Sequence, residues 1–177
     1  MPVSIIPFKM PEPAEIPAHI IAALKELPAD EAVVKSMDLL MQIEAAETLV
    51  YERISEGGQV QLVHVAGRRA DELNAALSEG SGSFAEAAMA QNSALLVMGQ
   101  ASAAEASALP SGVVEFLLAG AESGSIGFNY VLLFTGPDEK ALGALTLMRA
   151  AADGPLNHEQ PNICEAMRRE LSLILAA

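Results

Sequence analysis

The most constraining feature of the chain is a long apolar stretch, Phe128–Ala150, divided by a short polar turn. Two apolar runs, Tyr130–Phe134 and Ala141–Met148, flank the hexapeptide TGPDEK. The Gly, Pro and Asp of that hexapeptide favour turn geometry, whereas the branched and aromatic residues beside it favour extended backbone. The stretch therefore predicts a β-hairpin of two long strands.

Both faces of this hairpin are apolar. Successive side chains of a strand point to opposite faces, so Tyr130, Leu132 and Phe134 would share one face. Val131 and Leu133 would then share the other face. Because a strand that is apolar on both faces must be covered on both, we expect the hairpin to lie at the centre of a sheet.

The composition limits the classes of protein and partner. The length of 177 residues suits one domain with an appendage, and 51% hydrophobic residues are ample for a core. The net charge of −13 opposes phosphate backbones and anionic lipid, so we expect neither direct nucleic-acid binding nor membrane docking. A single cysteine, Cys164, excludes an internal disulfide and any multi-cysteine metal site, and it is expected to be an inert apolar residue.

The sequence carries no pattern for crossing a membrane. No apolar run approaches the roughly 18–20 residues that span a bilayer. The N-terminus lacks the basic flank and continuous apolar core of a secretory signal. We therefore expect a cytoplasmic protein.

The first 17 residues differ in composition from the rest. They contain five prolines, which forbid a regular helix and favour extended backbone: Pro2, Pro7, Pro11, Pro13 and Pro17. Two alternatives stay open, a disordered tail or an arm whose Ile5, Ile6 and Phe8 pack on its own domain or on a partner chain. We accordingly divide the chain into a proline-rich arm, 1–17, and a single domain, 18–177.

Helical and alternating patterns follow one another between the arm and the hairpin. They predict a short helix after Pro17, then helix Asp30–Ala46, strands Thr48–Ile54 and Gln59–Ala66, helices Arg69–Leu77 and Ser83–Gln91, and strand Ser93–Met98.

The ends of these elements carry capping residues. Asp30 would cap its helix, Ser83 and Glu86 have capping-box spacing, and Asn92 is expected to end its helix in a left-handed conformation. Gly112–Gly120 is predicted to be helical, with a strand as the alternative.

The C-terminal third carries a resemblance to a known family. After the hairpin come Asp153-Gly154-Pro155-Leu156-Asn157 and a helix with an apolar face formed by Ile163, Met167, Leu171 and Ile174. This order, with G-A-L-T-L-x-R in the second strand, resembles the C-terminal half of a GAF domain, a module that senses ligands or mediates dimers in signalling proteins. The resemblance implies an α/β (α+β), profilin-like fold with a central antiparallel sheet of five or six strands and helices on both faces. The Gly-x-Pro usual before the middle strand is replaced by residues 91–93.

No motif of known catalysis is present in the sequence. A Walker loop, a G-x-S-x-G elbow and an H-E-x-x-H pair are all missing. The cysteines of bilin-attaching and sulfoxide-reducing GAF-like proteins, and the N-K-F-D-E set of cyclic-nucleotide-binding members, are also missing. We expect a non-catalytic domain, and the sequence names no ligand or cofactor.

GAF-like folds form a ligand pocket between one sheet face and the middle loops and helices. By position, five residues could line it, although each also fits a core position: Tyr51, His64, Phe84, Phe116 and Asn129. Strand alternation places His64 on the face of Val60 and Leu62, either as a histidine satisfied by a backbone group or as a ligand contact.

The resemblance predicts a sensory or regulatory domain that binds a small molecule, signals through a dimer interface, or both. Because Leu171, Leu173, Ile174 and Leu175 exceed one apolar stripe, we expect a homodimer formed through terminal helices. The end at Ala177, within an apolar helix, predicts the input part of a larger signal-transduction protein. The alternatives are a methionine sulfoxide reductase-type enzyme and an interaction module without ligand.

Overall fold

The computed structural model describes residues 4–78, 83–98, 109, 111–124 and 126–177. These residues form one six-stranded sheet and six α-helices. The elements are β1 (Ser4–Phe8), α1 (Ala18–Lys25), α2 (Ala29–Gln42), β2 (Thr48–Ile54), β3 (Val60–Gly67), α3 (Ala70–Ser78), α4 (Phe84–Gln91), β4 (Ala94–Met98), α5 (Ser111–Ser123), β5 (Phe128–Thr135), β6 (Ala141–Arg149) and α6 (Gln160–Ala176). No helix among the described residues has the length and apolar character that a bilayer-crossing segment needs.

The predicted hairpin is confirmed and lies in the middle of the sheet. The strand order is β1-β4-β5-β6-β2-β3, and every neighbouring pair is antiparallel. The two central strands, β5 and β6, pair from Phe128 opposite Arg149 to Thr135 opposite Ala141. Since both of their faces are apolar, helices cover the sheet on both sides, and the predicted α+β architecture is confirmed.

The sheet separates two hydrophobic cores. The front face carries Val50, Val97, Val131 and Met148, and α3, α4 and α5 pack on it. The back face carries Leu49, Tyr51, Tyr130, Leu145 and Leu147, and α1, α2 and α6 pack on it. The side chains of β5 divide between the two cores as the alternation predicted.

The described part of the arm packs on the domain. Strand β1 pairs with β4 at the edge of the sheet, from Ser4 opposite Met98 to Phe8 opposite Ala94. Ile5 is buried in the front core, and the Phe8 ring meets the Tyr130 ring edge-on at 5.1 Å between centroids. Of the two alternatives for the arm, residues 4–17 thus adopt the packed one, while the division of the chain at residue 17 stays a prediction.

The start of α2 differs from the sequence-based expectation. Asp30 does not cap the helix, because α2 begins at Ala29 and Pro28 occupies the N-cap position. The Asp30 carboxylate instead accepts a hydrogen bond from the Tyr51 hydroxyl at 2.7 Å and pairs with Arg53 at 3.0 Å. The Asp30 carboxylate, which the local sequence predicted to cap the helix, therefore makes a tertiary contact to β2 instead.

The end of α2 also comes earlier than predicted. The helix ends at Gln42, and Glu44 adopts a left-handed conformation with φ of 60°. The Glu44 amide donates to the carbonyl of Met41, and the Ala45 amide donates to the carbonyl of Leu40. These two bonds form a Schellman motif, which usually has glycine at the left-handed position, so no local sequence signal marked this helix end.

Other local predictions are confirmed. The Ser83 hydroxyl oxygen accepts the Glu86 amide at 3.2 Å and begins α4, and Asn92 ends that helix with φ of 47°. Helix α5 covers the predicted segment 112–120, which settles the alternative in favour of helix.

A buried arginine joins β6 to the end of α2. Arg149 is 3% exposed and donates hydrogen bonds to four backbone carbonyls, those of Glu44, Ala45, Asp153 and Gly154, at 2.7 to 3.2 Å. The guanidinium thus satisfies carbonyls that the left-handed turn after α2 and the loop after β6 leave unpaired.

We expect Arg149→Leu to lower the free energy of unfolding by about 2–4 kcal/mol, because four carbonyls lose a charged donor in a buried place. Urea denaturation measures the loss. The matched control is Arg68→Leu, since the Arg68 side chain is 73% exposed and pairs loosely with Glu47 at 3.6 Å. That control is expected to cost less than about 0.5–1 kcal/mol, and equal losses in the two variants would contradict the assignment.

Candidate functional site

Three of the polar side chains on the front face are at most 2% exposed among apolar neighbours. Glu52 on β2, Asn129 on β5 and Thr146 on β6 are 2%, 1% and 0% exposed. Thr146 lies opposite Val50 and Val131, which belong to the front core. Directly opposed residues of neighbouring strands share a face, so Thr146 points to the front.

Asn129 points to the front for the same reason. It lies opposite Val97 on β4 and Met148 on β6, and both belong to the front core. A mainly apolar surface with a few placed polar groups, covered by helices, is the usual composition of a small-molecule site. The front face is therefore the candidate functional site.

Glu52 holds the start of α4 against the sheet. Its Oε1 atom accepts a hydrogen bond from the Ala85 amide at 3.1 Å, and its carboxyl also bonds the Ser83 side chain. The carboxylate thus lies at the positive end of the helix dipole.

Burial sets the titration of this carboxyl. Desolvation raises the pKa of Glu52 from 4.5 to about 7, the hydrogen bonds from Ser83 and Ala85 act against the rise, and the charge of Glu86 adds to it. A carboxyl buried with few compensating donors favours its neutral form. Near neutral pH this side chain therefore exchanges a proton.

Asn129 and Thr146 each present an atom without a partner. The Asn129 Nδ2 group donates to the Val97 carbonyl at 2.8 Å and so fixes the side chain at the end of β4. Its Oδ1 atom, and the Thr146 Oγ1 atom, are buried without a hydrogen-bond partner in the part of the chain that the structure describes. Leaving such a group unpaired costs about 1–3 kcal/mol, so each atom would be stabilised by a hydrogen-bonding partner.

The front face brings together three of the five residues that the sequence suggested. Phe84 and Phe116 are buried in the same core that Asn129 faces. The guanidinium of Arg69 lies 4.5 Å from the centroid of the Phe116 ring, over its face. The role of these three as ligand contacts stays a prediction.

Tyr51 lies on the back face instead. Its ring meets that of Phe134 edge-on at 6.2 Å, and its hydroxyl donates to Asp30. Burial, together with the hydrogen bond and charge of Asp30, raises the pKa of Tyr51. The sheet therefore separates Tyr51 from Phe84, Phe116 and Asn129.

His64 also belongs to the back side. A β-bulge lies in the β2–β3 ladder, where Tyr51 is opposite His64 but Glu52 is opposite Leu62. The extra residue, Val63, reverses the alternation that placed His64 with Val60 and Leu62, so that interpretation was wrong. His64 is half-buried, and its role as a ligand contact stays a prediction.

Two site residues, Glu52 and Thr146, were missed by the sequence analysis. Each breaks an apolar alternation, Glu52 between Val50 and Ile54, and Thr146 between Ala144 and Met148. A polar residue at a position where the period requires an apolar one is the signal that could have found them.

Two other features do not supply a reactive group. An open cleft of about 610 Å³ lies beside Arg149, but the donors of that residue are engaged with backbone carbonyls. Cys164 is buried in the back core, and burial raises the pKa of its thiol to about 12. Within the described ranges, no three His, Cys, Asp or Glu side chains are grouped as a metal site would require.

The pKa of Glu52 predicts a pH dependence of stability. The folded protein binds this proton more tightly than the unfolded chain, so stability falls as pH rises from about 4.5 to about 7. We expect Glu52→Gln to remove that fall. The free energy of unfolding of the variant minus that of the parent protein should therefore be greater at pH 8 than at pH 4.5 by on the order of 2–3 kcal/mol.

Urea denaturation of both proteins between pH 4.5 and pH 8 measures this difference. The matched control is Glu31→Gln, which removes an exposed carboxylate from the first turn of another helix, α2, and leaves the surroundings of Glu52 unchanged. Parallel stability curves for Glu52→Gln and the parent protein would contradict the assignment.

Comparison with known proteins identifies the fold. No family model and no curated protein matches the sequence. Among solved structures, it is similar to the GAF domain/HD domain protein from Geobacter sulfurreducens, with a TM-score of 0.61 and 11% identity over 84% of this chain and 93% of that one. It is also similar to GAF3, in its photoproduct state, of a Synechocystis protein, with a TM-score of 0.52 and 10% identity over 82% and 91% of the two chains. A GAF domain region from G. sulfurreducens PCA gives a TM-score of 0.53 and 14% identity over 88% and 95%. The chain therefore has the GAF fold, as the resemblance in its sequence predicted.

Proposed function

We propose that the chain is a non-catalytic sensory or regulatory domain that binds a small molecule between the front face and helices α3, α4 and α5. The observation that carries the proposal is the pair of unpaired polar atoms, Asn129 Oδ1 and Thr146 Oγ1, on an otherwise apolar face. Native proteins rarely leave such atoms unpaired, and a ligand is one partner that would satisfy them.

The proposal extends to a place in a larger signal-transduction protein. The fold is that of a domain which, in the Geobacter sulfurreducens protein, accompanies an HD domain. The Synechocystis GAF3 domain was solved in a photoproduct state, so one domain of this fold changes state. These similarities, which extend only to the fold, support a regulatory role.

Catalysis of the sulfoxide reductase kind has little support in this chain. Reduction by a cysteine requires a reachable thiolate, whereas Cys164, the one cysteine of the sequence, is buried with a raised pKa. It also lies in the back core, and the sheet separates it from the front face. Glu52, the buried acid of the front face, is tied to the backbone of α4.

We also propose a homodimer formed through the terminal helices. Leu173 on α6 is 62% exposed, and Ile43 at the end of α2 is 36% exposed. Both residues belong to the helical layer on the back of the sheet, away from the candidate site. A second copy covering this layer would bury them and leave the front face free for a ligand.

Ligand binding is tested by thermal unfolding of ligand-stripped protein against a metabolite panel. We expect at least one compound to raise Tm, since a ligand that binds only the folded state stabilises it. Val131→Phe fills the front face and should abolish that rise. Leu132→Phe is the matched control, because the next residue of β5 is equally buried but faces the back.

Each of these substitutions is expected to cost about 1–3 kcal/mol through overpacking, so the comparison of the two separates filling of the site from loss of stability. Absence of any stabilising compound, and of any small molecule in the native mass spectrum, would favour an interaction module without ligand. An equal response of the two variants to the same compound would place the ligand elsewhere.

Dimerisation is tested by sedimentation equilibrium of Leu173→Glu. A charge in the buried interface should convert the dimer to a monomer with unchanged circular dichroism. Ile6→Glu is the control, since Ile6 is 41% exposed but lies on the edge strand β1 and not on α2 or α6. A monomeric parent protein, or a dimer that survives Leu173→Glu, would contradict this interface.

A further inference from the structure

We propose that the molecule held by the front face is neutral or cationic and donates an N–H hydrogen bond to Asn129 Oδ1, with a second polar contact at Thr146 Oγ1. Phosphorylated and carboxylate compounds are thereby disfavoured. This inference rests on the proposed function, because it names the chemical class of ligand for the same site.

The two polar atoms belong to one small area of the sheet. Asn129 lies opposite Met148, and Thr146 precedes Met148 by two residues on the same strand and the same face. Such diagonal neighbours in an antiparallel pair have their β-carbons about 7 Å apart. One planar ring with an amide or ring N–H can therefore reach both side chains.

The orientation of the Asn129 amide sets the chemistry that it offers. The Nδ2 group donates to the Val97 carbonyl at 2.8 Å, and a flipped amide would set two acceptors against each other there. The atom left for a ligand is thus Oδ1, which only accepts hydrogen bonds. The Thr146 hydroxyl can donate or accept a hydrogen bond, so it does not select one class of ligand. Asn129 Oδ1 does, because it requires a hydrogen-bond donor on the ligand.

The charges around this area disfavour an anion. Glu52 is the charged side chain buried on the front face in the described part of the chain. Arg149, also buried, lies opposite Phe128, which belongs to the back core. Arg69 reaches the Phe116 ring, but its guanidinium pairs with Glu72 at 2.8 Å. An anion entering this face would lose its hydration without gaining a free cation.

The test uses ligand-stripped whole chain and isosteric probe pairs that differ only in charge and donor. Nicotinamide is compared with nicotinate, and benzamide and benzamidine are compared with benzoate, by titration followed with heteronuclear NMR. We expect the amide or amidine member of a pair to bind at least about tenfold more tightly than its carboxylate, since only the former pairs with Asn129 Oδ1.

Two variants assign the contacts. Asn129→Leu and Thr146→Val should each weaken the bound probe by about fivefold or more, whereas Asn74→Leu, at an exposed position of α3, should leave it unchanged. Thr146→Val is nearly isosteric and removes an unpaired hydroxyl, so its ligand-free Tm should stay the same or rise. If Thr146 served only packing, Thr146→Val would not weaken probe binding while keeping or raising the ligand-free Tm.

The outcomes separate this inference from the proposed function. Tighter binding of a carboxylate probe, or binding that neither variant weakens, overturns the assignment of ligand class but leaves the proposed ligand-binding function standing. Failure of every probe, when the metabolite panel still yields a ligand, also overturns the inference alone. Failure of both the probes and the panel overturns the inference and the ligand-binding function together.

Discussion

The fold depends on one hairpin whose two strands are apolar on both faces. Strands β5 and β6 cannot lie at a solvated margin, because Val131 and Leu133 on one side and Tyr130, Leu132 and Phe134 on the other need cover. The remaining strands extend the sheet to either side, and two helical layers supply the cover. Few aromatic residues are available, so aliphatic side chains from strands and helices form most of both cores.

The two faces of the sheet differ in how their buried polar groups are paired. On the back, the polar groups are paired: Tyr51 bonds Asp30, Tyr130 accepts the Leu156 amide, and Arg149 binds four carbonyls. On the front, a carboxyl is buried with a raised pKa, and two further polar atoms lack partners among the described residues. The back layer is thus built for stability, and the front layer retains the unsatisfied groups from which a binding function is inferred.

Much of the fold could be predicted because its signals are local. The alternation in β5 assigned its side chains to the correct faces, and Ser83 and Asn92 marked the ends of α4. The errors came from contacts that no local pattern contains. Asp30 bonds β2 instead of its own helix, and a bulge opposite β2 reverses the side of His64. The site was only partly predictable, because the polarity of Glu52 and Thr146 is visible in sequence but their burial is not.

The central claim is that the front face holds a molecule at Asn129 and Thr146, and a crystal structure of the natively purified protein tests it most directly. We predict non-protein density under α4 and α5, with a nitrogen donor within hydrogen-bond distance of Asn129 Oδ1 and a polar atom at Thr146 Oγ1. Protein side chains or ordered water meeting both atoms, with no further density, would contradict the account.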